Sequence, residues 1–246
     1  MEKQRLDKLL ASTGRWSRRE VKDLIRHRLV LVDGVPARSA EEKADPDTAQ
    51  IVVNGETISC QRYTWLMLNK PAGYLSATED GRGATVLDLL PQELQRRELF
   101  PVGRLEKDTE GLLVLTNDGG LAHDLLSPKR HVDKVYYARV DGRLTEEDCD
   151  AFEKGITLPD GLQCQSAKLE ILSAGETSEA HVTLREGKFH QVKRMLGFLG
   201  KPVTYLERVE MGGLPLDLSL SRGEYRFLTP DEVEYLRRQA AEKRKE

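Results

Sequence analysis

The order of the short apolar segments constrains the fold of this chain more than any other feature. Five segments with strand character are interrupted by helical signals at 145–154 and 229–232, without the regular strand–helix alternation that builds a parallel sheet. We therefore predict an α+β fold whose larger domain is built on a mixed, mostly antiparallel sheet. The strand segments lie at 65–68, 112–116, 135–140, 180–184 and 225–228.

The N-terminal part of the chain predicts a separate small α/β domain. Leucines at helical spacing are followed by the capping box Ser-Arg-Arg-Glu at 17–20, which marks the start of a second helix. Asp-Gly at 33–34 and Asn-Gly at 54–55 are typical of hairpin turns. We place the small domain at 1–60, the larger domain at 61–236 and a fraying polar tail at 237–246.

Composition narrows the class of protein further. The chain has 246 residues, 39% of them hydrophobic, and a net charge of −3. The N-terminus lacks the apolar stretch of a signal peptide, and no apolar run is long enough to cross a bilayer. The three cysteines fit neither a disulfide framework nor a zinc site. We expect a cytoplasmic monomer with reduced thiols, no metal and no membrane partner.

The small domain carries a concentration of positive charge. Residues 3–38 have a net charge of +6, much of it on the second helix. Arg18, Lys22 and Arg26 are four residues apart and share one helical face, which a polyanion would attract. A solvated helix surface is the alternative, and charge alone does not decide between them. The candidate RNA contacts here are Arg5, Arg15, Arg18, Arg19, Lys22 and Arg26.

Three further segments are candidates for chemistry. Residues 69–74 form a rigid Pro-Gly loop, unless they are an ordinary turn. Residues 103–119 place a glycine-bracketed charged loop before a buried strand, where reactive groups are common, although a salt-bridged surface turn is the alternative. Residues 185–208 have a net charge of +4, and Phe189 and His190 supply stacking and hydrogen-bonding groups suited to an unstacked RNA base.

In this order and spacing the segments resemble the RsuA family of pseudouridine synthases, and the resemblance covers nearly the whole chain. The small domain resembles the RNA-binding domain named after ribosomal protein S4. The larger domain is matched by LNKPAGY at 68–74, GRLEKDTEGLLVLTNDG at 103–119, Lys-Val-Tyr at 134–136 and EGKFHQVKRM at 186–195. Residues 206–208, 212–214 and 223–226 are similar to the branch that acts on small-subunit rRNA.

The resemblance implies a cofactor-free isomerase that converts one uridine of rRNA, free or in an assembling particle, to pseudouridine. In this family a carboxylate acts at the sugar, as a nucleophile or a proton acceptor, and a nearby cation keeps it ionised. The resemblance assigns the carboxylate to Glu106, its cationic partner to Lys193 and the tyrosine near the base to Tyr136, while Arg104 helps to hold the flipped-out nucleotide. Further RNA contacts expected in this domain are Lys70, His190, Gln191 and Arg194.

One position departs from the family pattern, which reads GRLD where this chain reads GRLE. Glu106 carries its carboxylate on one more methylene, and a misplacement of about 1 Å can cost roughly a hundredfold in rate. Three interpretations follow, of which we favour the first. Glu106 acts from an adjusted loop, Asp108 substitutes for it, or the chain binds rRNA without isomerising it, as a ribosome-assembly factor. A hydrolase that uses Glu106 and Asp108 as paired carboxylates on a glycosidic bond is a further alternative.

Overall fold

The computed structural model describes residues 3–46, 48–58, 60, 63–81, 83–127, 130 and 132–241. The chain divides into two compact units, one formed by Met1–Thr64 with Leu87–Phe100 and the other by Trp65–Val86 with Pro101–Glu246. The smaller unit thus includes Leu87–Phe100, which the sequence pattern assigns to the larger domain. Three residues around the predicted 60/61 boundary (59, 61 and 62) and residues 242–246 of the predicted tail lie outside the described residues.

Local sequence signals account for most of the smaller unit. Ser17 Oγ accepts a hydrogen bond from the backbone N–H of Glu20, and the Glu20 carboxylate accepts one from the backbone N–H of Ser17, which confirms the predicted capping box. Asn54 and Gly55 both have positive φ, as the predicted hairpin turn requires. The elements are β1 (Gln4–Arg5), α1 (Leu6–Ser12), α2 (Arg18–Arg26), β2 (Val30–Val32), β3 (Val35–Pro36), β4 (Lys43–Ala44), β5 (Ile51–Val53), β6 (Glu56–Ile58) and, after a 3₁₀ turn at Val86–Leu89, α3 (Gln92–Gln95).

The described strands of the smaller unit form two sheets. Strands β3, β2, β5 and β6 lie in that order with antiparallel pairing, and β1 pairs with β4. The apolar faces of α1 and α2 pack with these strands into one hydrophobic core, which includes Leu6, Leu10, Val21 and Ile51. Burial of the apolar helix faces leaves the charged side chains of α2 on the surface.

The larger unit is built on a single twisted sheet among its described strands. The order is β11-β12-β10-β13-β9-β7-β15, with β8 and β14 as short additions. Neighbouring strands along this order are antiparallel except β13 and β9, which run parallel. This confirms an α+β fold with a mixed, mostly antiparallel sheet. The elements are β7 (Trp65–Lys70), β8 (Phe100–Pro101), β9 (Glu110–Thr116), α4 (Gly119–Leu126), β10 (Lys134–Asp141), α5 (Glu146–Lys154), β11 (Lys168–Ser173), β12 (Thr177–Leu184), α6 (Gln191–Phe198), β13 (Val203–Met211), β14 (Leu214–Pro215), β15 (Tyr225–Phe227) and α7 (Pro230–Ala241).

The parallel joint between β9 and β13 depends on Gly111. Gly111 pairs with Arg208 of β13 and has a φ of +95°. A Cβ atom at this position would lie 2.3 Å from the carbonyl oxygen of Arg208. Only glycine therefore allows the two backbones to approach this closely.

Helix α7 extends further than the sequence pattern predicts. It begins at Pro230, as expected from the preceding threonine, and continues to Ala241. Leu236 and Ala240 are buried, so residues 237–241 are held by packing instead of fraying. Among the described helices, α7 included, none is long and apolar enough to cross a membrane.

Candidate active site

A cleft of about 900 Å³ in the larger unit brings three of the sequence-predicted segments together. The loop at 103–109, strand β10 and the segment at 187–192 all contribute to its wall. Its lining combines apolar side chains with a similar number of polar and charged ones, so it suits a ligand that presents both kinds of surface. The apolar members include Leu75, Leu105, Leu126, Leu184, Val192 and Leu206, and the polar members include Arg104, Glu106, Thr109, Lys134, Tyr136, His190, Gln191 and Arg208.

Glu106 and Lys193 form an ion pair at this cleft. Lys193 Nζ lies 2.6 Å from Glu106 Oε2. The Lys193 side chain is only 24% exposed and the Glu106 side chain only 20%. Burial tends to lower the pKa of Lys193, but its hydrogen bonds to Asp108 and Glu106 outweigh this and raise it. Lys193 is therefore protonated at neutral pH, and its positive charge lies against the Glu106 side chain. His190 Nε2 lies 3.7 Å from the same carboxylate oxygen.

Asp108 shares Lys193 but occupies a different environment. Its Oδ1 lies 2.7 Å from Lys193 Nζ, and this hydrogen bond lowers the pKa of the aspartate. The side chain is 73% exposed and is absent from the described residues that line the cleft. Of the two carboxylates that Lys193 holds, only Glu106 lines the cleft among the described residues.

Lys70 supports the loop that carries Glu106, so the prediction that it contacts RNA is wrong. It is fully buried at the end of β7. Its Nζ donates to the backbone carbonyls of Pro71 at 3.0 Å, Glu106 at 3.1 Å, Lys107 at 3.3 Å and Thr109 at 2.8 Å. Burial lowers its pKa to about 8. An ammonium surrounded by four carbonyls has no route to a phosphate.

A second set of hydrogen bonds fixes the other side of the same loop. Ser76 Oγ donates to the carbonyl of Leu105 at 3.0 Å and accepts from its N–H at 3.1 Å. The N–H of Gly73 donates to the carbonyl of Lys107 at 2.7 Å. The loop backbone is thus held from both sides, and the Glu106 side chain is presented from a fixed position.

The segment at 186–195 divides into buried and exposed parts. Gln191 is buried, and its Nε2 donates to Glu186 Oε1 at 2.7 Å while its Oε1 accepts from the N–H of Lys188. Its amide holds the loop, and because Gln191 also lines the cleft, its contact with RNA stays a prediction. Phe189 is 74% exposed and stacks on His190, with ring centroids 3.8 Å apart.

Two buried cations form what we call the cleft floor, Lys134 and Arg208. They are 7% and 1% exposed, and both line the cleft. Arg208 pairs across the strands with Tyr136, which is half-buried on β10 and also lines the cleft. Burial, followed by the charge of Arg208, lowers the pKa of Lys134 to about 8. Sequence reasoning missed both as site residues, although Lys134 lies two residues before Tyr136 on a strand and so belongs to the same face.

The cleft rim, as we call it, consists of the exposed Arg104, Phe189 and His190. Arg104 is exposed and has no ion pair among the described residues. Arg194, also expected to contact RNA, is partly buried on α6 and pairs with Asp160. Within the described residues, no group of three or more His, Cys, Asp or Glu side chains is arranged to hold a metal ion.

The six cations predicted to contact RNA in the smaller unit are all exposed. Three of them hold carboxylates of their own unit: Arg5 with Asp7 at 2.9 Å, Arg15 with Glu56 at 2.7 Å and Arg26 with Asp23 at 3.0 Å. The other three, Arg18, Arg19 and Lys22, have no ion pair among the described residues. The pairs of Arg15 and Arg26 are exposed and weak, so these charges and the three without an ion pair can be offered to a polyanion, whereas Arg5 is held by two hydrogen bonds to the buried Asp7.

Comparison with known proteins agrees with this geometry. Residues 64–197 match the model of the RNA pseudouridylate synthase family, and residues 4–48 match the S4 domain. The uncharacterized RNA pseudouridine synthase YtzG of Bacillus subtilis is 48% identical over 94% of this chain and 98% of its own length. The ribosomal large subunit pseudouridine synthase B of B. subtilis is 38% identical, with 95% and 96% covered. The ribosomal small subunit pseudouridine synthase A of Escherichia coli K12 is 35% identical, with 93% and 98% covered.

These matches extend over both units, and the family model includes the loop of Glu106, the strand of Tyr136 and the helix of Lys193. The chain therefore belongs to the RNA pseudouridylate synthase family and is an isomerase.

Proposed function

We propose that this protein isomerises one uridine of small-subunit rRNA, in the cytoplasm, with Glu106 as the carboxylate that acts at the sugar. The observation that carries the proposal is the 2.6 Å contact between Lys193 Nζ and Glu106 Oε2 at the wall of the cleft. A carboxylate that a cation holds in a largely buried position is fixed in place, as an attacking or proton-accepting group must be.

The surrounding groups suit a flipped-out uridine. The ring of Tyr136 lines the cleft beside the place of the base, and Arg104 at the rim is free to hold the sugar–phosphate backbone. The exposed cations of α2 supply the sequence-independent attraction to rRNA or to an assembling ribosomal particle.

The replacement of the family aspartate by Glu106 fits this proposal. The additional methylene still brings the carboxylate to Lys193, and the loop is anchored by Lys70 and Ser76 on either side. Asp108 is less suited to the role because it lies outside the cleft lining. These observations favour an active enzyme over a silent ribosome-assembly factor.

The target subunit rests on the resemblance of residues 206–208, 212–214 and 223–226 to the small-subunit branch. The relatives reported above include synthases named for either subunit. Mapping of pseudouridine in all rRNAs, from cells with and without this gene, tests the assignment directly. We expect one small-subunit uridine to lose its modification in the deletion strain.

Complementation extends the same experiment. The native gene should restore the modification, and Glu106→Gln should not. A lost site in large-subunit rRNA would move the target to the other subunit. No lost site, together with a new one created by Glu106→Asp, would establish the silent assembly factor, and release of free uracil from RNA would establish the hydrolase.

A further inference from the structure

The cleft floor holds two buried positive charges without negative partners. Arg208 Nε donates to the carbonyl of Leu112 at 2.8 Å, and Lys134 Nζ donates to the carbonyl of Val132 at 3.0 Å. Neither side chain has a carboxylate within ion-pair distance among the described residues. The buried Arg208 Nη2 has no hydrogen-bond partner there, and neither has Thr109 Oγ1, which lines the same cleft.

Two buried positive charges without carboxylate partners lower the stability of the free protein. A buried charge normally pairs with an opposite charge, because desolvation is otherwise uncompensated. Here the two buried charges are alike, and the charge of Arg208 disfavours the protonated form of Lys134. A donor that is left without a partner at the wall of a cleft is instead available to an acceptor that enters the cleft.

The depth of these groups identifies the acceptor. The phosphates of a flipped-out nucleotide remain joined to the RNA chain and stay near the rim, beside Arg104 and the 74% exposed Phe189. The base is the part of the nucleotide that travels furthest inward. Cations that are 1% and 7% exposed therefore meet the pyrimidine and not a phosphate. The cross-strand pairing of Arg208 with Tyr136 places them beside the ring that faces the base.

We propose that Arg208 and Lys134 bind the carbonyl oxygens of the uracil and stabilise the negative charge that it acquires when its bond to the sugar breaks. This rests on the proposed function. When the N1–C1′ bond breaks, its electron pair stays on the pyrimidine, whether Glu106 bonds to C1′ or accepts a sugar proton. The pyrimidine then turns, C5 bonds to C1′, Glu106 is released or returns its proton, and the proton lost from C5 is balanced by one gained at N1.

The kinetic test is Lys134→Met in the full-length chain, since methionine replaces the charge with an apolar side chain of similar length. We expect kcat to fall at least a hundredfold, as for removal of an oxyanion donor, with KM for rRNA changed less than threefold. The melting temperature should not decrease, because an unpaired buried charge is removed. Lys134→Arg should recover part of kcat. Arg139→Met, an exposed cation on the same strand, is the matched control and should keep kcat within twofold.

A binding test is independent of turnover. Equilibrium dialysis with radiolabelled uracil and 5-fluorouracil compares two bases of nearly equal size, of which the fluorinated one carries negative charge more readily. The wild-type protein should bind 5-fluorouracil more tightly, and Lys134→Met should abolish the difference. Equal affinities in the wild type, or an unchanged ratio in Lys134→Met, would overturn the proposal, as would wild-type kcat in that variant. If no rRNA uridine is modified but the affinity ratio behaves as expected, the proposed function fails, and only the part of this inference that concerns binding of the uracil by Lys134 stands.

Discussion

The buried ammonium of Lys70 allows a quantitative prediction about the loop that carries Glu106. Lys70→Met keeps the length and apolar stem of the side chain but removes the donor shared by four backbone carbonyls. The carbonyls of Pro71 and Thr109 lose this donor without a replacement from the side chain, whereas those of Glu106 and Lys107 still accept from the N–H groups of Thr109 and Gly73. The variant therefore isolates the contribution of the ammonium to the position of the loop.

The size of the effect follows from two opposing contributions. Two of the four carbonyls keep a backbone donor, so two lose the donor described above, at about 2 kcal/mol each within a range of about 1–3, or about 4 kcal/mol together. The desolvation that lowers the Lys70 pKa to about 8 offsets about 3 kcal/mol of this, since each pKa unit corresponds to about 1.4 kcal/mol. A net loss of about 1 kcal/mol lowers the melting temperature of a chain of this size by about 2–4 °C.

Thermal unfolding followed by calorimetry measures this loss, and kcat should fall more than tenfold because Glu106 is no longer held in place. The control is Lys107→Met, which removes an exposed ammonium from the same loop and should melt within about 1 °C of the wild type. If Lys70→Met melted within 2 °C of the wild type and kept its kcat, the ammonium would not be what holds the loop.

Of three further predictions, the first two are measured by the release of tritium from C5 of labelled uridine, and the third by RNA binding. Glu106→Gln should lower kcat by about 10²–10⁴-fold, whereas Asp108→Asn weakens an exposed pair worth about 1 kcal/mol at most and should cost less than about fivefold; the reverse order would assign the reaction to Asp108. Above pH about 8, kcat/KM should fall about tenfold per pH unit, because burial lowers the pKa of Lys134 to about 8 and the protonated form is the active one. Lys134→Arg should move this decline to higher pH, and an unchanged profile would attribute it to another group. Combined charge reversal at Arg18 and Lys22 should weaken RNA binding and reduce the slope of log affinity against log salt by about 1.5, whereas an unchanged slope would make the helix face a solvated surface.

Features determined by neighbours in sequence were predictable. The start of α2 follows from Ser17 and Glu20, which satisfy each other's backbone donors within one turn. The β5–β6 hairpin follows from Asn54 and Gly55, which tolerate positive φ. Neither feature needs information from elsewhere in the chain.

Features that depend on distant partners were not predictable in the same way. Strand β13 carries charged residues at several positions and has no clear alternation, and its pairing with β9 joins residues nearly one hundred positions apart. Helix α6 begins at Gln191, and the preceding N-cap residue, His190, has a positive φ and makes no capping hydrogen bond through its side chain, so no start signal marks the helix. Lys70 looks like any other cation in a loop motif until the carbonyls at 106–109 are folded around it.

The residues of the candidate site could be predicted only where a family motif includes them. The motifs indicated Glu106, Tyr136 and Lys193, and the structure brings Glu106 and Lys193 into contact. The motifs favour Glu106, which stands where the family pattern has its aspartate, but they leave Asp108 as an alternative, and in the structure both reach Lys193. Exposure separates them, and exposure is a property of the folded chain.

The close approach at Gly111 has a consequence for any attempt to retarget this protein to a new uridine. Gly111 pairs with Lys70 of β7 on one side and with Arg208 of β13 on the other. It therefore sets the spacing between Lys70, which anchors the loop of Glu106, and Arg208, which we propose contacts the base. Even an alanine there would push the two apart. Libraries that vary substrate choice can therefore diversify the rim and the basic helix freely, whereas position 111 has to stay constant for the reacting groups to remain in register.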